Sequence, residues 1–165
     1  MNKQNTTVLI VEDEPNLADL YATWLTTEYT IEVAYGAEEA LEKAGDSIDV
    51  MLLDRRMPKL SGNQVSERVR EAGHQIRVAM VTAVEPDFDI LELSFDDYIV
   101  KPVSREDLLD TVSELSARDP RDEEGNTLYE LSRKKALLED QKSSHELQTH
   151  ETYQKFLKDL ESLQG

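Results

Sequence analysis

The sequence predicts an α/β fold, an open parallel sheet covered by helices on both faces. Three observations predict it. Short apolar runs alternate with segments of helical period along the first part of the chain. Those runs are continuous rather than alternating with polar residues, as strands buried on both faces require. The segments between them are long enough for the right-handed crossovers that join parallel strands.

Thr7-Val8-Leu9-Ile10-Val11 reads as the first strand and ends in Glu12-Asp13-Glu14-Pro15, a loop leading into a helix. Leu17, Leu20, Tyr21, Trp24 and Leu25 recur at helical spacing, with Pro15 where a first helical turn tolerates it. Thr30 to Ala34 follows as a strand, Ala37 to Lys43 as a helix, and Val50-Met51-Leu52-Leu53 as a buried strand ending on Asp54. Val65, Val69 and Ala72 mark the next helix, Ile76 to Val81 a fourth strand, and Asp89 to Leu93 a short helix. Tyr98-Ile99-Val100 makes a fifth strand, and Ser104 to Ser116 a helix with Leu108, Leu109, Val112 and Leu115 inward.

Beyond this domain, taken as residues 1–118, the apolar period stops in a polar stretch holding Pro120 and Gly125, so 119–126 is predicted to be a linker. Residues 127–165 return to helical spacing. Thr127 and Glu130 have capping-box spacing, and Leu128, Leu131, Leu137 and Leu138 share a face. Tyr153, Phe156, Leu157, Leu160 and Leu163 repeat the pattern, and a second capping box at Ser143 and Glu146 favours two helices over one continuous coiled coil.

Composition narrows the function classes. The absence of cysteine excludes disulfides, thiolate metal sites and cysteine nucleophiles. Met1 to Asn5 is polar, unlike a signal peptide, and no apolar run approaches the roughly 20 residues that span a bilayer, so a soluble, cytoplasmic protein without membrane contact is expected. A formal net charge of −17, of which −13 falls on residues 1–118, disfavours direct binding to DNA phosphates. Such acidity belongs either to a disordered chain or to a folded protein hydrated in concentrated salt, and the apolar periodicity decides for the folded one.

The chemistry is predicted at the carboxyl ends of the strands, where sites form in open parallel sheets. Glu12 and Asp13 end the first strand, Asp54 the third, Thr82 the fourth, and Lys101-Pro102 follows the fifth. If the third strand lies beside the first, three carboxylates share a small volume and repel one another until a cation neutralises them. All-oxygen ligands favour Mg²⁺ or a similar hard ion such as Mn²⁺. A carboxylate beside such an ion can attack phosphorus, and the acyl phosphate formed needs donors, which Thr82 and Lys101 supply.

Taken together, Val-Leu-Ile-Val-Glu12-Asp13-Glu-Pro, Leu-Leu-Asp54-Arg-Arg-Met57-Pro58, Gly62, Val-Thr82-Ala83 and Asp-Asp-Tyr98-Ile-Val-Lys101-Pro102 resemble the receiver domain of two-component response regulators, over about residues 6–117. The resemblance implies a flavodoxin-like sheet of order 2-1-3-4-5 and phosphorylation of Asp54 by a sensor histidine kinase. It further implies Mg²⁺ on Glu12, Asp13, Asp54 and the Arg56 carbonyl, with Thr82 and Lys101 on the phosphoryl group, Tyr98 turning inward as the switch aromatic, and Pro58, Gly62, Ala83 and Pro102 in support. A conformational switch rather than catalytic turnover is the expected output. One departure is Ser94-Phe95, where receivers usually carry Gly-Ala, so the turn into strand five and the coupling face are expected to differ.

The stretch Tyr129-Glu-Leu-Ser-Arg-Lys-Lys-Ala-Leu-Leu-Glu139 is similar to the HalX module appended to receivers of halophilic archaea, which also accounts for the acidity. Arg133-Lys134-Lys135 is expected to be a solvated helix face, and His145 and His150 exposed side chains. A phosphatase of the haloacid dehalogenase type is the rival enzyme reading, but it needs a second Asp where Arg56 stands. A nucleotide-binding domain lacks its Gly-rich loop after strand one. A transcription factor reading, with DNA bound by the tail or a partner, finds no helix-turn-helix pattern after Arg118. Output by contact with a downstream protein is therefore expected, with the last helix, the Tyr98 face and the tail as candidate surfaces, homodimer contacts included.

Overall fold

The computed structural model describes residues 5–164; residues 1–4, part of the segment read above as lacking a signal sequence, lie outside it. Five parallel strands, β1 (Thr7–Val11), β2 (Thr30–Ala34), β3 (Val50–Leu53), β4 (Arg77–Thr82) and β5 (Asp97–Val100), form one sheet in the order 2-1-3-4-5. The register sets Ile10 beside Leu52 and Val11 beside Leu53, so the chain leaves β1 and β3 side by side at Glu12 and Asp54.

Because side chains alternate across a strand, the apolar runs feed two cores. Val8, Ile10, Val50, Leu52, Ala79 and Val81 face helices α1 (Pro15–Leu25) and α4 (Arg105–Ser116). Leu9, Val11, Met51, Leu53, Val78 and Met80 face α2 (Ala37–Lys43) and α3 (Gly62–Glu71). Within α1 the buried positions are Ala18, Tyr21 and Leu25, while Leu20, which fits the helical spacing, is 42% exposed.

The crossover from β4 to β5 carries only a 3-10 helix, Phe88–Glu92, in place of a full α-helix. One short turn cannot cover the sheet end beneath it, and the C-terminal helices do so instead. Helices α5 (Glu123–Gln141), α6 (Ser144–Thr149) and α7 (Glu151–Gln164) fold back, and Leu138, Tyr153, Phe156 and Leu160 join Ile90, Phe95, Tyr98 and Met80 in one core. The tail is thus neither a free coiled coil nor two helices, but three helices packed on the sheet domain.

Helix α5 starts at Glu123, inside the stretch expected to be a linker and ahead of the expected start at Thr127. The Asp122 carboxylate caps it by accepting from the Gly125 amide at 3.1 Å, and Glu123 and Glu124 favour its positive end. Ser143 and Glu146 do form the capping box of α6, with both reciprocal hydrogen bonds present. Leu163 faces outward at 52% exposure, one turn beyond the last tail contact in the core.

Arg133-Lys134-Lys135 is not a solvated face. Arg133 Nε donates to Asp97 Oδ1 at 2.8 Å, and Lys134, 4% exposed, donates to the Leu93 carbonyl at 2.6 Å beneath the Phe95 ring; only Lys135 bonds along the outer face, to Glu139. His145 is exposed, but His150 is half-buried and stacks on Phe88 with ring centroids 3.7 Å apart. Of a charge run read as solvated, Lys134 is thus spent on the backbone just before Ser94-Phe95 and Arg133 on the Asp97 carboxylate. Among the described residues no helix is long and apolar enough to cross a membrane.

Candidate phosphoacceptor site

The site lies where β1, β3, β4 and β5 end. Buried apolar runs hold these strands flush, and each run is followed at once by a polar residue that the sheet's edge must expose to the crevice. Carboxylate oxygens of Glu12, Asp13 and Asp54 fall within 4.8 Å of one another. Glu12 and Asp54 are buried, and Asp13 is half-buried at the rim.

Lys101 reaches across from the end of β5. Its Nζ donates to Glu12 Oε2 at 2.7 Å and to Asp54 Oδ2 at 3.1 Å. Backbone amides take other carboxylate oxygens: Glu14 N–H donates to Glu12 Oε1 at 3.2 Å, and Arg56 N–H to Asp54 Oδ1 at 3.2 Å. Burial raises the Glu12 pKa, with Asp54 adding repulsion, although Lys101 and the Glu14 amide pull it down. Burial alone would lower the Lys101 pKa, yet Glu12 and Asp54 outweigh it and hold the ammonium above its ordinary value. One ammonium bonds two of the three clustered carboxylates, and the negative charge left over suits a hard divalent cation held by oxygen. The clustered oxygens of Glu12, Asp13 and Asp54 fit one.

Gly62 is demanded by the loop after Asp54. A Cβ there would lie 2.2 Å from the Asp54 carbonyl oxygen and 2.9 Å from the Arg55 Cα, and the Gly62 amide donates to the Arg55 carbonyl at 2.8 Å. Ser61 caps α3 immediately before it, with Gln64 closing the box. Within the same loop Lys59 adopts a left-handed φ of 71°, and Pro58 is exposed.

Thr82 is 1% exposed, and its hydroxyl accepts from the Val84 amide at 3.3 Å. Ala83 beside it is exposed, as is Pro102, which follows Lys101, whose amide donates to the Thr82 carbonyl at 2.8 Å. Tyr98, 1% exposed, turns inward: its hydroxyl donates to the Val84 carbonyl at 2.5 Å and accepts from Arg55 at 3.3 Å. Burial raises its pKa, although Arg55 works against this. Every residue nominated from the sequence therefore lies at this strand edge or on the loops that frame it. Arg55 drew no role from the sequence although it stands in the Asp54-Arg-Arg-Met57-Pro58 motif beside Arg56, because its partners Tyr98 and Asp89 are distant in the chain; only the fold brings them together.

Comparison with known proteins agrees with this geometry. The family model of the response regulator receiver domain matches residues 8–113, and that of the HalX domain matches 117–165. A putative transcriptional regulator of Haloferax volcanii is 44% identical over 159 residues, which are 96% of this chain and 27% of that protein. The transcriptional regulatory protein CutR of Streptomyces coelicolor is 40% identical over 116 residues, 67% of this chain and 54% of CutR. Among solved structures, the Thermotoga maritima response regulator TrrA in complex with Mg(2+)-BeF is 32% identical with a TM-score of 0.59, covering 67% of this chain and 98% of that one. A receiver domain from Methanospirillum hungatei is 28% identical, with a TM-score of 0.62, over 67% and 93%. With its five-stranded sheet, its acidic strand-end cluster and these matches, the chain belongs to the two-component response regulators, as a receiver domain followed by a HalX domain.

Proposed function

We propose that Asp54 is the phosphoacceptor of this response regulator, taking a phosphoryl group from the phosphohistidine of a sensor kinase. The observation that carries the reading is the convergence of Glu12, Asp13 and Asp54 within 4.8 Å, with Lys101 bridging two of them. An Asp54 carboxylate oxygen attacks phosphorus, a P–O bond forms as the P–N bond to the imidazole breaks, and the imidazole leaves with a proton. A divalent ion bound by Glu12, Asp13, Asp54 and the Arg56 carbonyl would neutralise the oxygens of the transferring group. The Mg(2+)-BeF complex of the related TrrA supports that assignment.

Thr82 and Lys101 are the donors for the acyl phosphate oxygens. Taking up that role, the Thr82 hydroxyl turns from the Val84 amide, whose neighbouring carbonyl holds Tyr98. A change at phosphorus is thereby felt at the aromatic of β5, and the protein signals by shifting between two arrangements rather than by turning over substrate. The output is read by a downstream protein or a second copy of the chain. Direct DNA contact through the tail is disfavoured, since Arg133 and Lys134 are spent within the molecule. The relatives named as transcriptional regulators are longer than the span they share with this chain.

The test is incubation with acetyl phosphate and Mg²⁺ in concentrated salt, read by intact-mass measurement and light scattering. The expected result is one phosphoryl increment that disappears in Asp54→Ala or when the metal is chelated. No increment in the wild type would make this a receiver that works through constitutive contacts.

A further inference from the structure

The 3-10 helix between β4 and β5 is held from two sides. On one side is the tail: His150 stacks on Phe88, Tyr153 meets the same ring edge-on at 6.0 Å, and Lys142 pairs with Asp87 at 2.9 Å. Lys134 donates to the Leu93 carbonyl that follows it. On the other side stands Arg55, whose guanidinium pairs with Asp89 and donates to the Tyr98 hydroxyl at 3.3 Å. The Arg55 side chain is 11% exposed and that of Asp89 55%, so the guanidinium is enclosed while its acidic partner faces water.

Arg55 is also the residue directly after Asp54. A phosphoryl group on Asp54 adds about 1.5 to 2 negative charges next to it. Lys101, which also bonds Glu12, and a divalent ion would meet only part of that charge, so a further cation beside Asp54 gains by turning to it. A guanidinium matches phosphoryl oxygens in bidentate fashion, whereas its present partner Asp89 is half in water and is lost at little cost.

Resting on the phosphoacceptor reading of Asp54, we propose that Arg55 is the positioning residue that couples the phosphoryl state to the tail. With Asp54 unmodified, Arg55 pins Asp89 and keeps the 3-10 helix in the shape that α5 and α7 grip. With Asp54 phosphorylated, Arg55 turns to the phosphoryl group, Asp89 is released, and the grip of the tail on Phe88 and Phe95 loosens. The surface uncovered is the apolar one that β5 shares with the tail, and that surface becomes available for output.

Hydrogen–deuterium exchange read by mass spectrometry on the full chain tests this, with the intact mass recording phosphorylation in each sample. In the unphosphorylated state, Arg55→Ala and Asp89→Asn are expected to speed exchange in α7 about threefold over wild type, the scale of losing one half-exposed ion pair. Phosphorylated wild type shows the same acceleration, and phosphorylation of either variant adds nothing further. Asp89→Asn leaves the Arg55 to Tyr98 contact in place, so it decides the matter if Arg55→Ala does not fold. A phosphoryl increment with unchanged α7 exchange overturns the coupling alone, as do variants that exchange like wild type. Absence of the increment overturns the phosphoacceptor reading, and the coupling with it.

Discussion

At the scale of single residues, the site depends on how closely the backbone can pass itself. Gly62 sits against the Asp54 carbonyl, and its amide bonds to Arg55, so the loop that presents Asp54 and the Arg56 carbonyl closes on a position without a side chain. Gly62→Ala is expected to push that loop outward, costing about 1–3 kcal/mol as overpacking does, and to slow phosphorylation of Asp54. A denaturant melt and a labelling time course check both; an alanine variant equal to wild type in both would show that the loop yields freely. Glycine at this position was legible from the motif, but its reason was not, because contact with Asp54 is made across a turn. Lys134 and His150 make the converse point. Both read as surface residues from their sequence neighbours, and both are drawn in by partners, Phe95 and Phe88, that lie far away in the chain.

At the scale of elements, α5 docks through ionic groups as well as leucines. Glu130 accepts from the Phe95 amide at 3.2 Å and pairs with Lys134 and Arg70, while Asp96 accepts from the Val78 amide at 2.7 Å and pairs with Arg70. Burial nevertheless raises the pKa of Glu130, and likewise that of Asp96, against the pull of these cations. A carboxyl raised on folding contributes stability that is complete below its unfolded pKa and is lost as pH rises through its folded one. Glu130→Gln removes that contribution, so as pH rises from the ordinary glutamate pKa of about 4.3 its unfolding free energy is expected to rise more steeply than that of wild type. Denaturant unfolding at a series of pH values reads the slope, and a Glu130→Gln curve parallel to wild type would show that Glu130 does not titrate across folding. The short 3-10 helix explains why α5 is needed there. Its brevity could be read from the sequence, as a helix expected over only Asp89 to Leu93, but its consequence could not, since the covering helices come some thirty residues or more later.

For the molecule as a whole, receiver and tail share one core. Leu138, Tyr153, Phe156 and Leu160 are buried against the sheet domain and against each other, and burial of such side chains is worth roughly 1.5–3 kcal/mol apiece. A chain ending at Arg118 would expose Ile90, Phe95 and the β5 edge of the core. It is expected to melt about 10 °C lower and to self-associate, as proteins with large exposed apolar patches do. Calorimetry and light scattering on the truncated chain test this; a monomer with unchanged Tm would mean that the tail contributes contacts but no stability.

The sequence by itself determined the sheet, its helices and the acidic strand-end cluster, because apolar periodicity and the residues that follow each strand are local properties. Sheet order, and the roles proposed for Glu12, Asp13, Asp54, Thr82 and Lys101, followed from the resemblance to receiver domains. Only the tertiary structure decided where the tail goes, what Phe95 packs against, what occupies Arg133 and Lys134, and that Arg55 meets Asp89 and Tyr98. Each of those depends on side chains distant in the chain meeting across a core, and no local pattern encodes which distant surface a helical face will bury.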